Sequence, residues 1–425
     1  MQPRNSGEMM KNPVTATSDL ERWRALDAAV RGWWDGDTRT AQEADIREDP
    51  KGTLLFLPYP YSTAGGAESN FPEMYGWDTY FINRGLLLHD RANLVRAHIL
   101  NHLFMLERYG KILNGNRDYY LTRSQTPLLA DSVYRYAWSL SDPQDDLALL
   151  MRAYSLVSAE YRGYWNAPHH ATPVGLATAR DLGDPGLRPE LASEAETGLD
   201  FCALYGGDVR RCAPLIVNCA LARAAQVLEW LAKVLRRPEE SDAWRRDADA
   251  RAARIRRYCW DEGEGTFLEY DVTKDVRLPY RSLCAYWTLW AGVATPEQAA
   301  QLVSRLPDFE EPHGLAFTPE AYASPHPEFR NLQWNHPAAW PPMHIIVTDG
   351  LWAYGYRDEA RRVAATFLQT VLDEHDRTGK LWEKYNAVTG GHDIPLERYP
   401  TPPHHGWTSA AVAVLGDYLY GTADE

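Results

Sequence analysis

The sequence has no excess of basic residues, no paired-cysteine motif and no linker or low-complexity tract. Its 44 basic residues are outnumbered by 58 acidic ones, which gives a net charge of −14. No basic run extends beyond a few residues, and this argues against nucleic acid or an anionic membrane as a partner. An acidic substrate remains compatible with this charge, because one or two arginines in a cleft dominate the local field.

The cysteines are odd in number and show no C-x-x-C spacing, which is typical of buried, reduced thiols rather than of disulfides or a zinc site. The first twenty residues contain no apolar signal region, and no stretch is expected to span a membrane. We therefore expect a cytoplasmic protein with no bound metal or cofactor, and its oligomeric state stays open. The five cysteines are Cys202, Cys212, Cys219, Cys259 and Cys284.

Aromatic residues are unevenly distributed among the three types. The chain has 16 Trp and 24 Tyr but only 10 Phe, so the excess lies in rings that carry a polar group. Such rings stack on apolar ligand faces and offer an N–H or O–H at the edge, which suits the C–H faces and hydroxyl edges of a sugar. The same rings also serve as core residues in a large helical protein.

Helical periodicity dominates the chain. Ser18 followed by Glu21 forms a capping-box pattern that predicts the start of a first helix. Apolar stripes predict further helices within 212–236 and over 360–372, the second ending before Gly379. Only short segments such as 266–272 are typical of strands.

No composition break divides the chain, so the pattern predicts one all-α domain over residues 1–425, with residues 1–50 as an N-terminal helical extension. Turn-rich segments lie between the helices, and loops on a rigid scaffold commonly carry the functional residues. Four such segments concentrate acids, amides, arginines and aromatics: FPEMYGWDTYF (71–81), LNGNRDYYLTRSQ (113–125), GLRPELASEAETGLDF (186–201), and NLQWNHPAAWPP (331–342) together with LWEKYNAVTGG (381–391).

These segments closely resemble the trehalases, glycoside hydrolase family 37, and the related family 63 α-glucosidases and glycosylglycerate hydrolases. The resemblance runs in order over residues 56–415. NGNRDYYLTRSQ matches the trehalase string NGNRxYYLxRSQ at every fixed place, and YGWDTYF resembles YYWDSYF. EKYNAVTG and ETGLDF match the corresponding strings of the family less completely.

The resemblance implies an (α/α)6 toroid with long loops over one open end, and cleavage with inversion. It implies that Asp200 is the general acid and that Glu383 is the base that activates water. Glu397 lies where trehalases carry a further glutamate near the sugar. Together with the four segments, the resemblance gives as candidate substrate-binding residues Tyr75, Trp77, Asp78, Asn114, Arg123, Gln125, Arg188, Glu190, Gln333, Trp334 and Glu397.

The chemistry of an acetal supports this assignment. Its departing oxygen needs a proton, and inversion needs a second carboxylate that deprotonates water on the opposite face, roughly 6.5–9.5 Å from the first. The acid must stay protonated near neutral pH, through burial or a neighbouring carboxylate.

Other interpretations of single residues remain open. Arg117 and Arg123 are equally suited to hold a loop through salt bridges, and Trp334 and Trp340 to form a wall. The adjacent pairs His169–His170 and His404–His405 favour surface or core roles over metal binding, because neighbouring histidines rarely share one ion.

The pattern departs from the trehalases at three places. Asn70 and Pro72 stand where the trehalase string GGRFRE has arginines, and Asn335 replaces an aspartate. One substrate-contacting arginine is thereby missing, so we expect weak cleavage of trehalose and a preference for a smaller or anionic leaving group.

The sequence therefore predicts an inverting glycoside hydrolase that cleaves a small α-glucoside such as trehalose. The alternative within this class is a glucosylglycerate or mannosylglycerate hydrolase. The alternative of another class is a non-catalytic sugar-binding protein, against which the retention of both Asp200 and Glu383 argues, since binding alone needs neither.

Overall fold

The structure, a computed structural model, describes residues 13–66, 71–328, 330–395 and 398–421. Two residues named above, Asn70 and Glu397, lie outside these ranges. Across the described ranges the chain forms the helices α1 Pro13–Gly36, α2 Glu43–Glu48, α3 Gly76–Leu88, α4 Ala92–Tyr109, α5 Leu129–Trp138, α6 Leu147–Glu160, α7 Pro189–Glu196, α8 Leu215–Val234, α9 Pro238–Cys259, α10 Trp287–Trp290, α11 Pro296–Arg305, α12 Pro341–Ala353, α13 Arg357–Thr378 and α14 Gly406–Tyr420.

The strands are short and pair antiparallel in five small sheets, β1–β2, β3–β6–β7, β4–β5, β8–β9 and β10–β11. They connect loops rather than form a layer. Their bounds are β1 Thr38–Ala41, β2 Leu57–Ser62, β3 Cys212–Ala213, β4 Trp260–Asp261, β5 Thr266–Phe267, β6 Tyr270–Asp271, β7 Val276–Arg277, β8 Glu310–Glu311, β9 Gly314–Leu315, β10 Ala338–Ala339 and β11 Tyr385–Asn386.

Six helices form a closed inner ring. In the order α3, α5, α8, α10, α12 and α14, each packs against the next, and α14 packs back on α3. The helices α4, α6, α9, α11 and α13 each follow an inner helix along the chain, and α1 packs on α14. Two concentric rings of this kind are an (α/α)6 toroid, as predicted.

The sequence explains which helix takes which ring. Helix α8 is apolar around most of its circumference, and 14 of its residues are buried, which fits an inner position. Helix α9 is rich in Arg, Asp and Glu and buries only a stripe that includes Trp244, Ala248 and Ile255. An amphipathic helix of that type stabilises the outer ring, with its charged face in solvent.

Helix α8 also corrects one expectation. It is long and apolar enough to cross a membrane by length and composition, contrary to the expectation that no stretch would be. However, 78% of its most apolar window is buried, and it packs against α5, α9 and α10. It is therefore an inner helix of the toroid.

Local predictions of helix ends were partly right. Helix α13 ends at Gly379, whose φ of +68° gives the left-handed cap that glycine favours. The first helix begins at Pro13 and not at Ser18, so the capping-box prediction was wrong. Proline suits the first helical turn, because its missing N–H has no partner there in any case. The segment 266–272 forms the two short strands β5 and β6.

Candidate active site

A cavity of about 400 Å³ lies where α3, α12 and α14 begin. Both predicted catalytic carboxyls, those of Asp200 and Glu383, line it. The other described residues around it are Ala64, Phe71, Tyr75, Trp77, Asp78, Asn114, Tyr120, Arg123, Gln125, Leu187, Leu191, Ala195, Gly198, Phe201, Gln333, Trp334, Trp340, Arg398, Tyr399, His404 and Trp407.

A second, larger cavity of about 500 Å³ lies at the opposite ends of the inner helices, lined by Arg84, Trp138 and Tyr418 among others. It contains neither catalytic candidate. Arg84, one of the charged residues that line this second cavity, forms a buried ion pair with Asp349. Size alone therefore does not identify the site.

Three segments that are distant in sequence meet at the smaller cavity. The turn that carries Asp200 follows α7, and the Gln333 N–H donates to the Phe201 carbonyl over 3.1 Å. Strands β10 and β11 then pair residues 338–339 with 385–386, which places Glu383 beside the same segment. These backbone contacts thus bring both carboxyls to the walls of one cavity.

Asp200 lies in surroundings that favour its protonated form. Burial, followed by the negative charge of Glu383, raises the pKa of Asp200 to about 6. The Gln333 Nε2 donates to Asp200 Oδ2 over 3.2 Å and orients the carboxyl. A carboxyl that keeps its proton close to neutral pH can act as a proton donor.

Glu383 has a donor on each carboxylate oxygen. The Tyr399 hydroxyl donates to Oε1 over 2.7 Å, and the Lys384 ammonium donates to Oε2 over 2.8 Å. Lys384 is fully buried and lies 5.0 Å from the Trp340 ring centroid. The Trp407 indole N–H donates to the Glu383 carbonyl over 2.9 Å. Two donors of this kind fix the orientation of the carboxylate, as a base requires.

The first turn of α3 forms another wall of the cavity. The Trp77 ring lies against Gly198, where an added Cβ would come within 2.9 Å of the indole, and Gly198 has a φ of +85°. The Gln125 Oε1 accepts the Trp77 backbone N–H over 2.8 Å. Burial, followed by the charge of Glu383, raises the pKa of Asp78 to about 8. Asp78 is therefore a neutral hydrogen-bonding group at neutral pH.

Other predicted binding residues line the cavity with side chains already engaged. Asn114 Nδ2 donates to the Ala195 carbonyl over 3.1 Å. The Tyr75 hydroxyl lies 3.3 Å from that of Tyr120. Trp334 stacks on Trp340 with ring centroids 3.9 Å apart and an interplanar angle of 12°. Trp334 therefore belongs to a packed aromatic wall that also faces the cavity.

Arg123 lines the cavity, but its guanidinium forms ion pairs with two aspartates that are not among the described lining residues. Its Nη1 lies 3.3 Å from Asp181 Oδ2 and 2.5 Å from Asp184 Oδ2, while its buried Nε has no hydrogen-bond partner among the described residues. Arg117 is buried between Glu73 and Asp49, each at 2.7 Å, which supports a structural role for this residue.

Arg188 and Glu190 are not among the described residues that line the cavity. They pair with each other over 3.1 Å at its rim, beside the lining residues Leu187 and Leu191. Arg188 also contacts His326, whose Nδ1 lies 3.0 Å from Arg188 Nη2. The sequence did not predict that Arg188 and Glu190 lie outside the cavity lining, because their close neighbours Leu187 and Leu191 do line it.

Sequence reasoning missed several residues of the site. Lys384 follows Glu383 directly and was available from the EKY string, whereas Tyr399 and Arg398 come from a segment with no strong motif. His404 was expected to have a surface or core role, but it is buried and lines the cavity. Neither of its ring nitrogens has a hydrogen-bond partner among the described residues, and burial lowers its pKa to about 3.

Within the described part of the chain, no group of three or more His, Cys, Asp or Glu side chains is placed to hold a metal ion. In the adjacent pair His169–His170, the His170 Nε2 lies 2.7 Å from Glu196 Oε2, so this nitrogen is engaged by a carboxylate. All five cysteines are free and buried, as predicted.

Comparison of structures supports the fold. The neutral trehalase Nth1 from Saccharomyces cerevisiae superposes with a TM-score of 0.81 at 23% identity, covering 94% of each chain. The family 63 mannosylglycerate hydrolase from Thermus thermophilus, solved in complex with Tris, gives a TM-score of 0.63 at 16% identity, covering 92% of this chain and 99% of that one.

Comparison of sequences identifies the family. A cytosolic neutral trehalase from Beauveria bassiana is 30% identical over 414 residues, covering 82% of this chain and 55% of the relative. The cytosolic neutral trehalase from Saccharomyces cerevisiae is 30% identical over 399 residues, covering 80% and 53%. The chain thus spans about half the length of these relatives. The trehalase family model matches residues 2–190 and 193–418, so the chain belongs to the trehalase family.

Proposed function

We propose that this chain is an inverting glycoside hydrolase that cleaves trehalose, with Asp200 as general acid and Glu383 as general base. The observation that carries the proposal is the contrast between the two carboxyls of one cavity. Asp200 has its pKa raised to about 6, while Glu383 accepts hydrogen bonds from Tyr399 and Lys384. One carboxyl with a raised pKa and a second carboxyl held in place by two donors form the arrangement that acid–base cleavage of an acetal needs.

In the proposed reaction, Asp200 donates its proton to the glycosidic oxygen as the bond between that oxygen and the anomeric carbon breaks. Water attacks the anomeric carbon from the opposite face and gives its proton to Glu383. The neutral carboxyl of Asp78 and the ring nitrogens of His404, which have no hydrogen-bond partner among the described residues, supply hydrogen-bonding groups for sugar hydroxyls, and Trp77 supplies an apolar face. A cytoplasmic location fits this proposal, since the relatives above are named cytosolic. A single domain also fits it.

A glycerate glycoside is the second candidate substrate. The family 63 structure is a mannosylglycerate hydrolase, and Arg398 lines the cavity beside Phe201, with 4.2 Å between its guanidinium carbon and the ring centroid. A guanidinium there suits a leaving group that carries a carboxylate. Pro72, in place of a trehalase arginine, favours the same candidate.

The test is to incubate the protein with trehalose, glucosylglycerate, mannosylglycerate and kojibiose and to measure which monosaccharide appears. Proton NMR of early trehalose cleavage should show α- and β-glucose in equal amounts, because inversion changes one anomeric centre and leaves the other. Two α-glucose molecules would contradict inversion. Release of no sugar from any substrate, together with ligand-induced thermal stabilisation, would instead indicate a binding protein.

Asp200→Asn and Glu383→Gln should each lower kcat at least about a hundredfold without unfolding the protein, since general acid–base roles contribute roughly 10²–10⁴-fold. Circular dichroism and thermal unfolding of both variants provide the control. A variant that keeps more than about a tenth of the activity would remove its residue from the proposed pair.

A further inference from the structure

A buried carboxyl lies directly behind the proposed general acid. Glu194, in the last turn of α7, has a side chain that is 1% exposed. Its Oε1 accepts the backbone N–H of Cys202 over 3.0 Å, and the backbone N–H of Phe201 also bonds to this carboxyl. Glu194 thus binds the two consecutive N–H groups that follow Asp200.

The turn that carries Asp200 needs such support. Gly198 and Phe201 both have positive φ, +85° and +59°, and a bulky side chain such as that of Phe201 rarely adopts this conformation. A backbone of this kind persists when its surroundings determine it from several sides. Gln333 bonds one side of the turn, and Glu194 bonds the other.

Glu194 and Asp200 are also close enough to affect each other's charge. Burial, and to a smaller extent the negative charge of Asp200, raises the pKa of Glu194 to about 8. The charges of Glu383 and Lys384 also act on Asp200, in opposite directions. Glu194 itself is not among the described residues that line the cavity. It therefore acts on Asp200 through its hydrogen bonds to the turn and does not touch the substrate.

We propose that Glu194 is a positioning residue that fixes the turn over residues 198–202, so that the Asp200 proton points at the departing oxygen. This inference rests on the proposed acid role of Asp200. It predicts that Glu194 matters only for substrates whose leaving group needs a proton. Replacing its carboxyl with an amide leaves one acceptor oxygen for the two backbone N–H donors and puts an N–H₂ group in place of the second oxygen, which weakens the support of the turn.

Two substrates separate this role from a general effect on folding. Trehalose releases glucose and needs protonation of the leaving oxygen. In α-glucosyl fluoride, the C–F bond breaks with its electron pair leaving on fluoride, and water still attacks the anomeric carbon and gives its proton to Glu383. General acid catalysis therefore limits only the first substrate, whereas the base is needed for both.

The chain offers a matched control in Glu269. This carboxyl is equally buried, burial raises its pKa to about 8, and it accepts the Leu215 N–H over 2.9 Å. It is not among the described residues that line the cavity. Glu269→Gln therefore makes the same chemical change at a carboxyl that accepts the Leu215 N–H rather than an N–H of the turn.

We expect Glu194→Gln to lower kcat for trehalose about tenfold, the factor that corresponds to 1.4 kcal/mol, with KM unchanged. Its kcat for α-glucosyl fluoride should stay within about twofold of the wild type. Asp200→Asn should show the same selectivity more strongly, Glu383→Gln should slow both substrates, and Glu269→Gln should show no selectivity. If Glu194→Gln does not fold, Glu194→Asp shortens the reach to the turn and should give the same selective loss.

Equal loss on both substrates, no loss on either, or the same selectivity in Glu269→Gln would overturn the inference while leaving the proposed function intact. A wild-type protein that turns over neither substrate would contradict the proposed function itself, and the role of Glu194 with it.

Discussion

The state of Asp200 leads to a quantitative prediction of pH dependence. Burial and the charge of Glu383 raise its pKa from 3.8 to about 6. At pH 7 an ordinary aspartate is protonated in about one molecule in 1,600, whereas a pKa of 6 gives about one in eleven. The surroundings of Asp200 thus raise the acid-competent fraction about 150-fold.

In the proposed mechanism the protonated form of Asp200 is the active one, so activity should fall as pH rises through its pKa. We expect kcat/KM for trehalose to be about fifty-fold lower at pH 8 than at pH 6, since this ratio follows the free enzyme's acid. Asp78 does not disturb most of this range, because its pKa is raised to about 8. The assay is initial-rate release of glucose from pH 5 to 8.5 at constant ionic strength.

The same measurement with α-glucosyl fluoride is the control, because that substrate needs no proton on its leaving group. Its kcat/KM should not show the fall above pH 6. A flat trehalose profile between pH 6 and 8 would refute either the raised pKa or the acid role of Asp200. An equal fall with both substrates would assign the titration to a different group.

Three further substitutions test the supports of the site. Tyr399→Phe removes the donor to Glu383 Oε1 and should lower kcat about ten- to a hundredfold. This range corresponds to a lost hydrogen bond to a charged group, which costs roughly 1.5–3 kcal/mol. An unchanged kcat would contradict the role of Tyr399. Lys384→Met keeps most of the buried volume but removes the cation at 2.8 Å, and should lower kcat at least as far. Because it leaves the buried Glu383 carboxylate without its ion-pair partner, its melting temperature should also fall. Arg117→Met leaves two buried carboxylates unpaired and should reduce the unfolding free energy by about 3–5 kcal/mol. Urea unfolding measures this loss, and a change below ~1 kcal/mol would show that the ion pairs contribute little.

Much of the fold was predictable because helix periodicity is local. The stripe in α8 and the glycine after α13 depend only on neighbouring residues, and both predictions were confirmed. The start of α1 was missed because Ser18 and Glu21 form a local pattern that the longer helix overrides. The ring itself depends on contacts between helices far apart in sequence, and only the resemblance to a known family indicated it.

The candidate site divides along the same line. Short strings identified Asp200 and Glu383, which the structure brings to one cavity. The partners of these residues come from elsewhere in the chain, and no spacing rule connects them. Arg123 illustrates the difficulty, because its side chain faces the cavity while its charge is balanced by two aspartates about 60 residues away. Whether an arginine binds substrate or a neighbouring loop depends on that tertiary contact.

Asp200 and Glu383 differ because their immediate neighbours have a larger effect on each carboxyl than the electrostatic field of the helix N-termini, which both residues share. Helices α3, α12 and α14 all begin at the cavity, and helix N-termini favour ionised carboxylates by roughly 0.3–1 kcal/mol each at exposed positions. Against this, the raised pKa of Asp200 corresponds to at most about 3 kcal/mol in favour of its neutral form. Burial therefore prevails at Asp200. At Glu383 a buried ammonium and a phenol bond the carboxylate directly. The acid and the base are thus distinguished by their immediate donors, which is why removing Tyr399 or Lys384 should affect the base without abolishing the acid.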